Sequence, residues 1–216
     1  MNLEQARFNM IEQQIRPWDV LDPHVLELLK VMRREQFVPS TSRALAFVDT
    51  EIPLGHGAAM WQPKLEARAL QALALQPTDS VLEVGTGSGY LTALLARMAA
   101  QVTSVEIEAE LNAQAAHNLA THNIGNVNLQ VGDAARHWGE AEYDAIVLTG
   151  STPVLPPAYK QQLKIGGRLF AIVGDAPAMQ AQLITRAAAD KFETHTLFET
   201  NVAPLHNALH PERFVF

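Results

Sequence analysis

Between the apolar pair Val81-Leu82 and a helical stretch that begins near Tyr90, the chain reads Glu83-Val84-Gly85-Thr86-Gly87-Ser88-Gly89. Strand, tight glycine turn and helix start in that order commit the segment to a Rossmann-like unit. Glycine is the residue that turns the backbone sharply and lets a ligand approach the main chain. A dinucleotide fingerprint spaces its glycines G-x-G-x-x-G, to seat a pyrophosphate on the helix N-terminus. Here the spacing is G-x-G-x-G, and Tyr90 occupies the place of the last small residue. Glu83 would repel a pyrophosphate but could pair with a cation such as the amino group of S-adenosylmethionine. The motif therefore favours that cofactor over NAD, and an NAD-dependent dehydrogenase is the runner-up outside the methyltransferase class.

The rest of the chain supplies the sheet this unit needs. The spacing predicts strands over 81–84, 102–106, 127–131, 143–148 and 168–173, with helices led by Leu91, Leu94, Leu95 and Met98, by Leu111, Ala115 and Leu119, and over 155–163. Residues 181–200 read as a strand pair at the sheet edge. Alternation of this kind predicts an α/β fold, doubly wound and mostly parallel, with helices on both faces. An N-terminal helical cap precedes it. Phe8, Ile11 and Ile15 share a helix face that Pro17 ends, and Asp22-Pro23 forms an N-cap and N1 pair for a helix carrying Val25, Leu26, Leu29 and Met32. A loop with Gly55, Gly57 and Pro63 follows, and Pro63 opens a further helix. One domain is expected over 1–216, with the cap and a loop in 1–62 and the Rossmann-like core in 63–216.

Composition removes several classes. Formal net charge is -7 with no Lys/Arg block, which argues against a nucleic-acid partner, since phosphate binding needs clustered positive charge. The chain has no cysteine, so disulfides, thiolate zinc sites and a cysteine nucleophile are excluded. No run of about 18 apolar residues is present to span a membrane. A cytoplasmic location is the default expectation. His206 and His210 have i,i+4 spacing but no third ligand beside them, so no metal site is assigned.

Three acidic residues fall at successive strand ends, where ligands bind in an open parallel sheet. Glu83 ends the first strand. Glu106, 17 residues after Gly89, ends the second, where a carboxylate can accept both ribose hydroxyls. Asp133 follows the third in Val131-Gly132-Asp133-Ala134, placed to meet an adenine amino group. Asp144 in Tyr143-Asp144-Ala145-Ile146 begins a strand and is given no chemistry.

The segments taken together resemble the protein-L-isoaspartate O-methyltransferase family. The resemblance rests on Met10–Pro17, Arg34-Glu35-Gln36-Phe37-Val38-Pro39, Ile52-Pro53-Leu54-Gly55, Val81–Tyr90, Val131-Gly132-Asp133, Tyr143–Val147 and Gly166-Gly167-Arg168-Leu169, in that order. It implies a methyl transfer from S-adenosylmethionine to the isoaspartyl carboxylate of a damaged protein or peptide, leaving S-adenosylhomocysteine. The cofactor-binding residues it implies are Met60, Trp61, Glu83, Gly85, Thr86, Gly87, Ser88, Gly89, Glu106, Ile107, Asp133 and Ala134. The family loop reads close to Gly-Gln-Thr-Ile-Ser-Gln-Pro, whereas this chain has Gly57-Ala58-Ala59-Met60-Trp61-Gln62-Pro63. Ala59 thus replaces the threonine, Trp61 the serine held to be central to catalysis, and Lys64 an aromatic or histidine. Ala134 stands where a glycine usually follows the aspartate. Catalytic residues are left unassigned. A changed acceptor, including a small molecule, and a non-catalytic S-adenosylmethionine sensor or scaffold are the alternatives. If Trp61 reshapes the pocket, it should lie beside the glycine turn.

Overall fold

The structure is a computed structural model that describes residues 2–211. Helix α1 (Leu3–Met10) starts at Asn2, whose side chain accepts from the Gln5 amide. It runs into a π-helical turn over Ile11–Ile15 and a 3₁₀ turn over Arg16–Trp18, and stops at Asp19 with φ 58°. Met10, Ile11 and Ile15 are buried, while Phe8, on the regular α-helical part, is 54% exposed. Phe8 therefore leaves the face that simple helical spacing gives it. Helix α2 (Pro23–Val31) is capped as expected: the Asp22 carboxylate accepts from the amides of His24 and Val25, and Val25, Leu26 and Leu29 are buried.

The expected loop contains a hairpin. Strands β1 (Ile52–Gly55) and β2 (Ala58–Met60) pair antiparallel. Gly55, His56 and Gly57 turn between them at φ 93°, 54° and 77°. Pro63 then opens α3 (Pro63–Leu73).

The core alternates from β3 (Ser80–Val84) through α4 (Tyr90–Met98), β4 (Gln101–Glu106), α5 (Ala109–Thr121), β5 (Val127–Val131) and β6 (Tyr143–Thr152) to α6 (Pro157–Gln161) and β7 (Leu163–Val173). Strands β8 (Met179–Ala188) and β9 (Lys191–Thr200) close it. The seven-stranded sheet has the order β5-β4-β3-β6-β7-β8-β9, parallel from β5 to β7 and antiparallel beyond. The doubly wound, mostly parallel sheet read from the sequence is present.

Strand β7 begins at Leu163, ahead of the expected 168, and carries Gly166-Gly167 within it. The β6–β7 register shifts there, between Tyr143 and Ala145. A Cβ on Gly167 would lie 2.8 Å from the Lys164 carbonyl and 3.1 Å from that of Tyr143, so only glycine fits the bulge.

Side chains alternate faces along β6 with a period of two. Ala145 and Val147 join the core beneath the N-terminal helices and α4, while Ile146 and Leu148 join a second core with Tyr159 and Leu163. Asp144 ties the N-terminal ends of β3, β6 and β7 by accepting from the Ser80 amide and hydroxyl at 2.8 Å and from Lys164 at 2.7 Å. That staple lies at the sheet end opposite the glycine turn, in keeping with a structural role. No described helix is long and apolar enough to cross a membrane.

Candidate functional site

The winding reverses at β3, which has β4 on one side and β6 on the other. A crevice must open outside the carboxyl ends of those strands. A cavity of about 130 Å³, partly open to solvent, lies there. Its floor is the turn Gly85–Ser88. Gly85 has φ 96°, and a Cβ on it would collide with the Thr149 hydroxyl. That hydroxyl donates to the carbonyls of Val84 and Gly85, both at 2.8 Å, and so fixes the turn from β6. Gly87, at φ 53°, donates its amide to Glu106 Oε2 at 2.8 Å. Glu106 Oε1 accepts from the Glu108 amide at 3.2 Å. The carboxylate is thereby held at the end of β4 with lone pairs left over.

Met60, Trp61, Gly85, Thr86, Gly87, Ser88, Glu106, Ile107, Asp133 and Ala134 all line this cavity. Two residues of the expected set do not. Gly89, at φ 79°, is the N-cap of α4 and faces Ala115 of α5. Glu83 is fully buried, and its Oε2 accepts from Thr92 at 2.5 Å and Ser104 at 2.6 Å. Glu83 is thus not among the residues that line the cavity, and its Oε1 has no hydrogen-bond partner among the described residues. Burial pushes its carboxyl up to about 8, against the opposing hydrogen bonds from Ser104 and Thr92 and aided by the charges of Glu106 and Glu66.

Trp61 is 5% exposed, lines the cavity and meets Phe170 of β7 edge-to-face with ring centroids 6.2 Å apart. The residue thus belongs to both the pocket wall and the core. Lys64 turns away: its ammonium pairs with Asp49 at 2.6 Å and sits 4.1 Å from the Trp18 ring centre.

Three parts of the wall escaped the sequence reading. Thr149 and Gly150 end the apolar run of β6. Glu66 stands on the first turn of α3 and pairs with buried Arg34, whose guanidinium also donates to the Trp61 carbonyl at 2.6 Å and the Ala46 carbonyl at 2.8 Å. Burial raises the Glu66 carboxyl to about 6 against the pull of Arg34. The third part is the segment after β9. The Leu205 amide donates to the Ser151 carbonyl at 2.9 Å and the Ser151 amide to the Ala203 carbonyl at 3.0 Å. This lays Val202–His206 along the rim, and Asn207 donates to Asp133 at 2.9 Å. The apolar Val202-Ala203-Pro204-Leu205 was its trace in the sequence. His206 joins the wall beside Gly57, while His210 is not among the lining residues.

Glu51, Glu66, Glu106 and Asp133 give the cavity four carboxyl groups, and none of its lining residues among those described is Lys or Arg. Burial raises the Glu51 carboxyl as well.

The profile of the family described as Protein-L-isoaspartate(D-aspartate) O-methyltransferase matches residues 5–209. The chain belongs to that family. A protein-L-isoaspartate O-methyltransferase 1 from Rhodopseudomonas palustris is 41% identical over 201 residues, covering 92% of this chain and 82% of the relative. A protein-L-isoaspartate O-methyltransferase 2 from Marinobacter nauticus is 37% identical, covering 94% of each. The fold is shared with a Plasmodium falciparum chain described under the same activity and crystallised with S-adenosyl-L-homocysteine, at TM-score 0.77, 19% identity and coverage of 95% of this chain and 99% of that one. As a member of the protein-L-isoaspartate(D-aspartate) O-methyltransferase family, the chain is an S-adenosylmethionine-dependent methyltransferase.

Proposed function

We propose that the cavity holds S-adenosylmethionine and that the chain, working as one domain over 1–216 in the cytoplasm, methylates the carboxylate of isoaspartyl residues in proteins or peptides. The observation that carries this reading is that the family match over residues 5–209 runs through every wall of the cavity: the loop, the glycine turn, the strand-end acids and the final segment. When bound, the cofactor supplies a methyl group already activated by its sulfonium.

The residues present fit that group. Glu106, pinned by two backbone amides, has free lone pairs for both ribose hydroxyls. Asp133 and Ala134 stand one strand further out and would meet the adenine. Gly85–Ser88 offer main chain without Cβ atoms in the way. Met60 and Trp61 add apolar wall to the cavity, which would keep water from the reacting methyl. The site's anionic lining suits a ligand that carries a sulfonium and an ammonium.

A carboxylate acceptor is ionised at neutral pH, so its attack on the methyl releases no proton and requires no base. The protein's part is to align the two groups at roughly 3–3.5 Å. That accounts for a site whose loop carries Ala59 and Trp61 in place of two hydroxyls. The same substitutions, with the four carboxyl groups, favour a second reading, in which the acceptor is a different, uncharged nucleophile whose proton a lining carboxylate would take up.

The test is methyl transfer from labelled S-adenosylmethionine to an isoaspartyl peptide and to its aspartyl isomer, with wild type and with Trp61→Ser combined with Ala59→Thr. Transfer by wild type to the isoaspartyl peptide alone supports the first reading. Transfer only after the loop hydroxyls are restored would overturn it in favour of a changed acceptor.

A further inference from the structure

The sealing of Glu83 leaves a question of chemistry. The methionine end of S-adenosylmethionine carries an ammonium, and an ammonium leaving water needs an acceptor, preferably an anionic one. The expected partner, Glu83, has its Oε2 taken by Thr92 and Ser104, and although its Oε1 has no partner among the described residues, the side chain is fully buried and is not among the residues that line the cavity.

Sheet order says where the replacement must be. Asp133 follows β5 and Glu106 ends β4, so the nucleoside end lies over those strands and the rest of the ligand runs across β3 towards β6. From β5 to β6 is three strand spacings, about 14 Å, a span suited to an extended adenosyl-methionine. Towards β6 and β7 the lining includes Thr149 of β6, Trp61, which meets Phe170 of β7, and Glu66, which Arg34 ties to the Trp61 carbonyl. Glu66 is 2% exposed and lines the cavity. Its Oε2 is taken by Arg34, and among the described residues its Oε1 accepts no hydrogen bond. Arg34 is spent on Glu66 and two carbonyls, so it is not free to meet a ligand.

We infer that Glu66 holds the α-ammonium of the cofactor's methionine moiety through its free oxygen, while Arg34 fixes the carboxylate and the Trp61 carbonyl in one piece. The inference rests on the cofactor-site reading above. It also resolves a conflict in that reading: an ammonium seated on Glu66 would neutralise one of the four carboxyl groups of the lining, which eases the approach of an anionic acceptor. Glu51 remains at the rim, where it is half-buried.

The experiment is calorimetric titration of S-adenosylhomocysteine, which has the ammonium, and of 5′-methylthioadenosine, which lacks the whole aminobutyrate arm. Wild type, Glu66→Gln and Glu66→Asp are compared. Glu66→Asp keeps the charge beside Arg34 and retracts it by one methylene, so it serves should the glutamine variant fail to fold. In both variants S-adenosylhomocysteine should weaken by about tenfold or more, as expected for a charged hydrogen bond. Methylthioadenosine should stay within about twofold, on the same arithmetic. Parallel weakening of both ligands, or unchanged S-adenosylhomocysteine binding, would overturn the role of Glu66. A wild type that binds neither ligand would instead sink the cofactor-site reading on which it rests.

Discussion

Asn207 donates its side-chain amide to the Asp133 carboxylate at 2.9 Å across 74 residues of sequence. One residue lies beyond the last strand and the other beyond β5, so this contact closes the rim of the cavity at its β5 end. Asp133 Oδ1 also accepts from the Ala135 amide at 2.9 Å, which keeps the carboxylate turned towards the strap.

Asn207→Ala should therefore loosen the strap more than the fold. The exposed contact contributes about 1 kcal/mol or less, so the melting temperature should barely move. S-adenosylhomocysteine affinity should fall several-fold. Exchange of the Leu205 amide, which bonds the Ser151 carbonyl, should speed up. An unchanged exchange rate would mean that the strap is held by its β6 contacts alone.

Gly85→Ala places a side chain at φ 96°, against the hydroxyl that pins the turn. The backbone alone should cost about 1–3 kcal/mol, and the collision with Thr149 adds to it. Cofactor binding should be lost by titration even where circular dichroism shows a folded protein. Thr149→Ala in the same background should relieve the collision and recover part of the stability, but not the strain.

Glu83 should contribute to the pH dependence of stability. Burial raises its carboxyl in the folded protein to about 8, well above the ordinary carboxylate range. The folded state then binds more protons than the unfolded one, and stability is full below the unfolded value and falls as pH rises towards 8. Each unit of difference is worth about 1.4 kcal/mol. Urea denaturation of wild type between pH 5 and pH 9, set against Glu83→Gln on the same axis, should show a gap that shifts in the variant's favour as pH rises. Parallel curves would mean that Glu83 is ionised at neutral pH despite its burial.

Restoring the family loop should carry a stability cost. Trp61 packs on Phe170 and is nearly buried, and removing a buried tryptophan costs about 3–5 kcal/mol. Trp61→Ser should thus lower the midpoint in urea markedly, whatever it does to transfer. Phe170→Leu should lower it less, and the double variant should lose less than the two single losses combined, because the rings share one contact.

Much of this was readable in the sequence, and for local reasons. Asp22-Pro23 and Pro63 mark helix starts because capping and a fixed φ act within one turn. The glycine spacing at 85, 87 and 89 declares the turn because each demands a positive φ. The alternation in Val81–Val84 and Ala145–Leu148 gives a two-faced sheet. Phe8 was misplaced because hydrophobic spacing does not show which side of a helix the rest of the chain covers, and the start of β7 because a bulge lets Gly166-Gly167 sit inside a strand.

By itself, then, the sequence determined a parallel α/β sheet with a glycine turn at its switch point and acids at successive strand ends. These follow from backbone sterics and side-chain period, which are set by near neighbours. Only the tertiary structure decided which carboxyls meet the ligand space. Glu83 is fully buried and away from the cavity lining, while Glu66 is brought in by an ion pair with Arg34 formed across 32 residues. The strap of Val202–His206 is likewise set by β6, a partner some fifty residues away for Ser151 and Val202. Burial and pairing at that range depend on the whole packed chain, and no local pattern encodes them.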